Sequence, residues 1–169
     1  RGLGDVYKRQ PIFKLINKKE KYLCPFPLGN VLGGGKHAGG RAPDIQEFLV
    51  CPVGAKNFRE AVKVNIKVHE VLGEILQKSS PYFTKGKGDE GAWAPPISNK
   101  EALEKVKESI ERVKDELKVE IRLGLDMASS SLWDSKRRLY IYSREGIKRN
   151  TEEQLDYIRE IIEKYNIFY

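Results

Sequence analysis

The sequence has few cysteines and no long apolar run. Of its 169 residues only Cys24 and Cys51 are cysteines, and they lie too far apart for the C-x-x-C spacing of a metal site. We expect both to be reduced core residues. No stretch approaches the roughly 18 consecutive apolar residues of a membrane span, and the start lacks the apolar segment of a secretory signal. We therefore predict a cytoplasmic protein without a membrane span.

Acidic residues are outnumbered by basic ones. The chain has 31 Lys and Arg against 24 Asp and Glu, a formal net charge of +7, and such a balance suits nucleic acid, an anionic membrane surface or a small anionic substrate. Much of the charge falls in mixed stretches such as residues 101–118, which is typical of a solvated helix face.

One alternative function follows from the basic residues alone. The cluster of Lys136, Arg137 and Arg138 and the calculated pI of about 9.3 suit a non-catalytic basic binding module for nucleic acid or another acidic partner. The sequence lacks interleaved aromatic residues and a nucleic-acid motif. We therefore rank this module second and expect no nucleic-acid partner.

Apolar periodicity predicts the element order β, β, α, α, β, α and the start of a further strand. Short apolar stretches within residues 23–32, 45–53 and 119–125 indicate strands, because turn residues flank the first two and β-branched residues fill the third. Helical spacing of apolar residues predicts helices over 57–78 and 99–118.

Side-chain chemistry marks the predicted helix starts. Asn99 is a candidate N-cap of the second helix, and Thr151 with Gln154 forms a candidate capping box for the third. Residues 139–142 are predicted to form one arm of a small surface hairpin, and residues 167–169 the start of a strand. The apolar face of the third helix is predicted to carry Leu155, Ile158, Ile162 and Tyr165.

Polar loops are predicted to meet at one end of the fold. If each element runs antiparallel to the one before it, the glycine-rich loop 33–43, the loop 86–96 and the end of the third strand share one face. Barrel enzymes collect their catalytic groups at such a face. The polar side chains that it would present are His37, Gln46, Glu47, Asp89, Glu90 and Asp126.

These candidates differ in how readily a structural role explains them. Glu47 interrupts an apolar run, and a buried carboxylate without a partner is costly, so it indicates a site. Asp126 could simply end a strand and cap a turn. His37 could be a surface residue of its loop, and His69, within the first long helix, fits a surface position better still.

Four segments resemble the successive signature segments of the enolase family, in the same order and at comparable spacing. They are NVLGGGKHAGG, DIQEFLVCPVGAKNFREAV, GDEGAWAPP and LGLDMASSS. The resemblance implies an α/β fold, an incomplete enolase-type TIM barrel that begins ββαα and continues with βα units. It also implies a glycolytic lyase that dehydrates 2-phosphoglycerate to phosphoenolpyruvate, with Mg²⁺ as cofactor and a homo-oligomer as the complete protein.

The resemblance also implies roles for individual residues. His37 resembles the loop histidine that closes over the substrate phosphate, and Gln46 and Glu47 resemble the paired polar residues that contact substrate. Glu90 resembles the glutamate that delivers a proton to the departing hydroxyl, and Asp126 the first of three carboxylate ligands of magnesium. Hard oxygen ligands suit magnesium, and an enolate intermediate needs such a cation; enolases are a standard example of this arrangement.

The resemblance predicts boundaries and departures as well. We expect residues 1–10 to be a non-native remnant, residues 11–21 the end of an N-terminal domain with its linker, and residues 22–169 the first part of the barrel domain. Two further metal ligands and the base lysine are expected after residue 169, so the chain alone is expected to be inactive. Ala92 and the pair Ser131–Leu132 depart from the family pattern, in loops that can tolerate the change.

Overall fold

The computed structural model describes residues 11–17 and 21–169. The expectation for residues 1–10 lies outside the described residues, as does the stretch 18–20 of the expected linker. The helices are α1 (Ile12–Ile16), α2 (Phe58–Ser79), α3 (Asn99–Leu117), α4 (Ser129–Leu132) and α5 (Thr151–Tyr165). The strands are β1 (Gly29–Gly33), β2 (Glu47–Cys51), β3 (Arg122–Asp126), β4 (Trp133–Asp134), β5 (Leu139–Tyr142) and β6 (Ile147–Arg149).

The main sheet has three strands in the order β1-β2-β3, and both pairs are antiparallel. The predicted up-and-down course is therefore confirmed. Strand β1 begins only at Gly29, after Pro25 and Pro27, which cannot donate ladder hydrogen bonds. Strand β2 ends before Pro52 for the same reason.

Helices α2 and α3 pack on one face of this sheet. Their amphipathic spacing puts one apolar stripe of each helix into a common core, where each buried aliphatic side chain contributes about 1.5–3 kcal/mol. The fully buried members of that core include Leu32, Phe48, Val50, Val68, Leu72 and Val106. The core thereby fixes which residues lie at the ends of the three strands.

The last residues run beside the open edge of β3. The N–H of Phe168 donates to the carbonyl of Leu123, and the N–H of Leu125 donates to the carbonyl of Tyr169. Residue numbers increase in the same direction along the two bonded segments, so the segments run parallel. The structure assigns no strand to residues 167–169, so these two hydrogen bonds are all that it shows of the predicted strand start.

The hairpin after β3 is larger than the single arm that the sequence indicated. Strands β4, β5 and β6 form a second antiparallel sheet of three strands. Tyr142 on β5 is fully buried, and its hydroxyl is hydrogen-bonded to Gln154 of α5 at 3.0 Å. The hairpin is therefore anchored on the last helix.

Both predicted helix caps are wrong by one residue. Ser98 caps α3 in a capping box with Glu101, and Asn150 caps α5 in a capping box with Glu153. Asn99 is instead the first residue of α3, and its side-chain oxygen accepts the N–H of Ile45 at 2.9 Å. Neighbouring residues with capping side chains cannot be ranked by type alone, since the tertiary partner decides.

Two predictions about burial are also wrong. Cys51 is buried but Cys24 is exposed, because Cys24 lies in the extended segment before β1. On α5, Leu155 and Ile162 are exposed, whereas Ile161 and Tyr165 are buried. Helix α5 packs against strands β5 and β6 of the hairpin sheet, and in this orientation part of its predicted stripe stays exposed. Among the described helices, none combines the length and apolar composition that a membrane crossing requires.

Candidate functional site

An open cavity of about 610 Å³ lies at one end of the main sheet. Its walls come from all three strands and from the loop before α3. They are formed by Leu28, Asn30, Glu47, Leu49, Glu90, Leu125, Asp126 and Tyr169. A larger cavity of about 820 Å³ lies between the hairpin and the start of α3. We take the smaller cavity as the candidate site because it collects three carboxylates that the sequence singled out.

Strand pairing places two of these carboxylates side by side. Glu47 is the first residue of β2 and Asp126 the last residue of β3, and the two are direct partners in the antiparallel ladder. Directly opposed residues project to the same face of a sheet. Asp126 also accepts the N–H of Ala128 through Oδ1 at 2.8 Å, so the strand-ending role that the sequence left open coexists with its place in the cavity.

The glycine-rich loop brings His37 onto this cluster. A short 3₁₀ turn at Gly35–His37 places the imidazole with Nδ1 2.9 Å from Oδ1 of Asp89. Its Nδ1 is 3.9 Å from Oε1 of Glu90, and its Nε2 is 3.8 Å from Oε1 of Glu47. The convergence of His37, Glu47 and Glu90 that the sequence predicted is confirmed as geometry.

Glu90 is held from β1 by a residue that the sequence did not single out. Nδ2 of Asn30 donates to Oε2 of Glu90 at 2.9 Å, and Oδ1 of Asn30 is buried without a hydrogen-bond partner. An unsatisfied buried acceptor beside an acidic cavity indicates room for a further donor or cation. The only signal in the sequence was the position of Asn30 at the start of the NVLGGGKHAGG segment.

Asp89 was named as a loop residue but not as a site residue. Its carboxylate is hydrogen-bonded to the imidazole of His37, and its backbone N–H donates to the carbonyl of His37 at 3.1 Å. The two loops therefore meet through both side chain and backbone. Two predicted site residues, His37 and Gln46, do not line the cavity. His37 borders it through its contacts with Glu47 and Glu90, and the backbone carbonyl of Gln46 accepts the N–H of Gly34.

Electrostatics in the cavity are those of crowded negative charge. Burial raises the pKa of Glu47, and the neighbouring carboxylates of Glu90 and Asp126 raise it further. The hydrogen bond to Asp89 raises the pKa of His37, with added attraction from Glu90 and Glu47. A cation bound beside these carboxylates would offset their mutual repulsion.

A metal ion could be held by the side chains present. One ligand atom each from His37, Glu47 and Glu90 lie within 4.8 Å of one another, a group that does not include Asp126. Asp126 lies next to Glu47 on the neighbouring strand and lines the same cavity. Carboxylate oxygens are hard donors that suit magnesium or calcium, and the donor set therefore fits a magnesium ion.

His69 is not the surface residue that the sequence suggested. Its ring stacks on that of Trp93, with centroids 4.5 Å apart, and its Nε2 lies 3.2 Å from the carbonyl of Gly91. The indole N–H of Trp93 donates to the backbone carbonyl of His69 at 2.7 Å. His69 therefore supports the Glu90 loop from behind, a role that periodicity within one helix could not reveal.

The residues that depart from the family pattern are accommodated. Ala92 is buried, and its carbonyl accepts the N–H of Gly88. Leu132 is buried in the short helix α4, and the hydroxyl of Ser131 donates to the carbonyl of Ala128 at 2.8 Å. The residues at these positions are therefore packed or hydrogen-bonded within their own loops.

Comparison with known proteins gives one consistent result. The family model described as the enolase C-terminal TIM barrel domain matches residues 21–169. Curated relatives include the enolases of Methanosphaera stadtmanae, 50% identical, and Methanothermobacter thermautotrophicus, 46% identical, each over 159 residues. The enolase of Archaeoglobus fulgidus is 49% identical over the same length. Each alignment covers 94% of this chain but 38% of the relative, so the chain spans little more than a third of their length.

Proposed function

The chain belongs to the enolase family, and from that premise we propose that it supplies part of the active site of an enolase, a lyase that dehydrates 2-phosphoglycerate to phosphoenolpyruvate. Membership confirms the predicted fold class, an incomplete enolase-type TIM barrel that begins ββαα. The complete enzyme is proposed to work in the cytoplasm, in glycolysis, as a homo-oligomer. The barrel domain is proposed to begin near residue 22.

The observation that carries the proposal is the convergence of three distant segments at one cavity, which Glu90 and Asp126 line and which His37 borders through its contact with Glu90. His37 comes from the loop between β1 and β2, Glu90 from the loop before α3, and Asp126 from the end of β3. They lie 36 or more residues apart in the chain, as the numbers show. A packing role alone does not require ionisable residues at all three places.

Each residue is proposed to do one task. Glu90 donates a proton to the departing C3 hydroxyl, because hydroxide is a poor leaving group that needs an acid. His37 contacts the substrate phosphate, where a raised pKa favours the cationic form. Glu47 and Gln46 orient the substrate, although Gln46 would have to reach it from outside the described cavity.

Asp126 is proposed to hold Mg²⁺ together with donors from outside this chain. The ion, when bound, would neutralise the negative charge that develops on the substrate carboxylate when the neighbouring proton is removed. Asn30 is proposed to orient Glu90 through the hydrogen bond from its Nδ2. The raised pKa of Glu47 supports a cation here, since a positive charge would relieve the carboxylate crowding.

No contact favours the alternative of a basic binding module. Within the basic cluster, Arg137 pairs with Asp134 at 3.2 Å at the turn of the hairpin. Among the described residues, other basic side chains also pair with acidic ones, such as Lys67 with Glu116. We therefore retain enolase activity as the proposal.

A segment exchange tests the proposal. The matched segment of the Methanosphaera stadtmanae enolase is replaced by the corresponding residues of this chain, and formation of phosphoenolpyruvate is followed with Mg²⁺ present. We expect turnover that chelation of the metal abolishes. Glu90→Gln should lower kcat by about 10²–10⁴-fold with a much smaller change in KM, whereas the exposed control Glu111→Gln should match the parent. A folded exchange protein without turnover under any divalent metal would refute the proposal.

A further inference from the structure

The tip of the loop that carries His37 has little packing, whereas Ala42 at the end of the loop is buried. Gly39 and Gly40 have open space around them, and both are exposed. Within the loop, the backbone bonds include the N–H of Gly35 to the carbonyl of Pro43 and the N–H of His37 to the carbonyl of Gly34. Such a glycine-rich segment loses much conformational entropy when it is ordered, so something outside it must hold it.

Arg144, in the turn between β5 and β6, supplies that hold. Its Nη2 donates to the carbonyl of Gly35 at 2.7 Å, and its Nη1 donates to the carbonyl of Pro43. Gly35 and Pro43 lie at the two ends of the loop, so one guanidinium bridges its base. The rigid planar fork of arginine suits this double donation, which a lysine ammonium cannot reproduce with the same geometry.

A buried aspartate fixes the turn from which Arg144 projects. Asp44 is only 4% exposed and accepts the N–H groups of Arg144 and Glu145, each at 3.2 Å. Glu145 in turn accepts the N–H of Asn99 at 2.8 Å. These hydrogen bonds connect the turn to the segment before β2 and to the start of α3. They fix the backbone of Arg144 beside the loop.

We propose that Arg144 is a positioning residue that sets the place of the His37 imidazole by clamping the two ends of its loop. Gly35 begins the 3₁₀ turn that ends at His37, so a shift at its carbonyl moves the imidazole directly. Arg144 touches neither Glu47, Glu90 nor Asp126 in the described contacts, and it acts through the loop alone. The consequence for activity rests on the proposed function, whereas the consequence for the loop does not.

Amide hydrogen exchange on the 169-residue chain tests the clamp. Arg144→Ala should accelerate exchange at the amides of Gly35 and His37 by about tenfold to a hundredfold, because two charged hydrogen bonds are lost. The amides of the β2–β3 ladder should be unchanged. Arg144→Lys keeps the charge and should give an intermediate acceleration. Arg137→Ala, in the same hairpin but exposed, is the matched control and should have no effect on the loop.

Kinetics of the exchange protein test the effect on the site. Arg144→Ala should raise KM for 2-phosphoglycerate by about tenfold, since His37 is proposed to contact the phosphate, and Arg144→Lys should recover part of that loss. A merely structural role would reduce the active fraction, and so kcat, with KM unchanged. Unaltered loop exchange in both variants would overturn the clamp. An inactive exchange protein with faster loop exchange would instead refute the proposed function and leave the clamp standing.

Discussion

The two histidines of the chain stand in opposite surroundings. His37 lies within 4 Å of three carboxylates, and its pKa is raised above the ordinary value of 6.5. His69 stacks on Trp93, and burial lowers its pKa below the same value. One imidazole is therefore favoured as a cation and the other as a neutral ring.

The surroundings of the two histidines differ in what stabilises them. Around His69 the chain gains stability from aromatic packing, with Phe83 edge-on to Trp93 at 5.7 Å. Around His37 the chain accepts crowded carboxylates: burial raises the pKa of Glu47, and the charges of Glu90 and Asp126 raise it further. Charge repulsion of that kind is typical of functional sites. The packed residues around His69 hold the charged residues around His37 in place.

Removing the indole from the packed residues around His69 should have the largest effect. Trp93→Ala deletes a ring that is 8% exposed and should lower the free energy of unfolding by about 3–5 kcal/mol, measured by urea denaturation. Trp133, at 37% exposure, is the matched control, and Trp133→Ala should cost about 1 kcal/mol for its ring contact. Equal losses in the two variants would remove the distinction between the two regions.

Neutralising one carboxylate should stabilise the charged residues around His37. Glu47→Gln removes a negative charge beside Glu90 and Asp126 and should raise the free energy of unfolding at neutral pH by about 1 kcal/mol. The same change in the exchange protein should lower activity. The exposed pair Arg159 and Asp156 offers a control, since Asp156→Asn should be close to neutral. Destabilisation by Glu47→Gln without metal would contradict the picture of repelling charges.

The two histidines should give stability opposite dependences on pH. The contribution of His37 is fully present below pH 6.5 and is lost as pH rises through its raised folded pKa, because the folded state binds the proton more tightly. The contribution of His69 is present above pH 6.5 and is lost as pH falls through its lowered folded pKa. The free energy of unfolding is measured against pH for both variants. His37→Gln should lose the fall in stability as pH rises, and His69→Gln should lose the fall in stability as pH drops. Changes of the same sign would show that one assignment is wrong.

The smallest effect is expected from the partner of His37. The hydrogen bond to Asp89 is the main cause of the raised pKa of His37, and Asp89→Asn removes the negative charge of that partner. The NMR titration midpoint of His37 should therefore move toward 6.5, while the midpoint of His69 should not change. Because Asp89 is 65% exposed, the change in unfolding free energy should be only a few tenths of a kcal/mol. A midpoint of His37 that does not move would assign the shift to Glu90 and Glu47 instead.

Periodicity and turn chemistry predicted the three strands of the main sheet and the long helices, because these depend on residues close in sequence; strands β4 and β6 and the short helix α4 were not predicted. The two signals failed where a distant partner decides. Ser98 rather than Asn99 caps α3, since the amide of Asn99 is already bonded to Ile45. The exposed Leu155 of α5 likewise reflects how the helix is turned against β5 and β6, which its own spacing does not specify.

The candidate site was predictable to a similar extent. Motif resemblance nominated His37, Glu47, Glu90 and Asp126. Strand pairing and loop contacts bring the three carboxylates to one cavity, and His37 lies beside two of them. Asn30 was missed because an asparagine at a strand start is an ordinary residue until its contact with Glu90 is known. His69 was misjudged because its partner Trp93 is 24 residues away. The roles of the nominated residues stay predictions until the exchange protein is assayed.

Gly88 shows how the two loops of the site constrain one another. A β-carbon there would collide with the carbonyl oxygen of His37, while the next residue donates its N–H to that same oxygen. The absence of a single methyl group thus allows two segments about 50 residues apart in the chain to share one contact surface. Divergence of either loop is consequently limited by the other, and a change at one of them has to be matched by an accommodating change across the contact before it can persist.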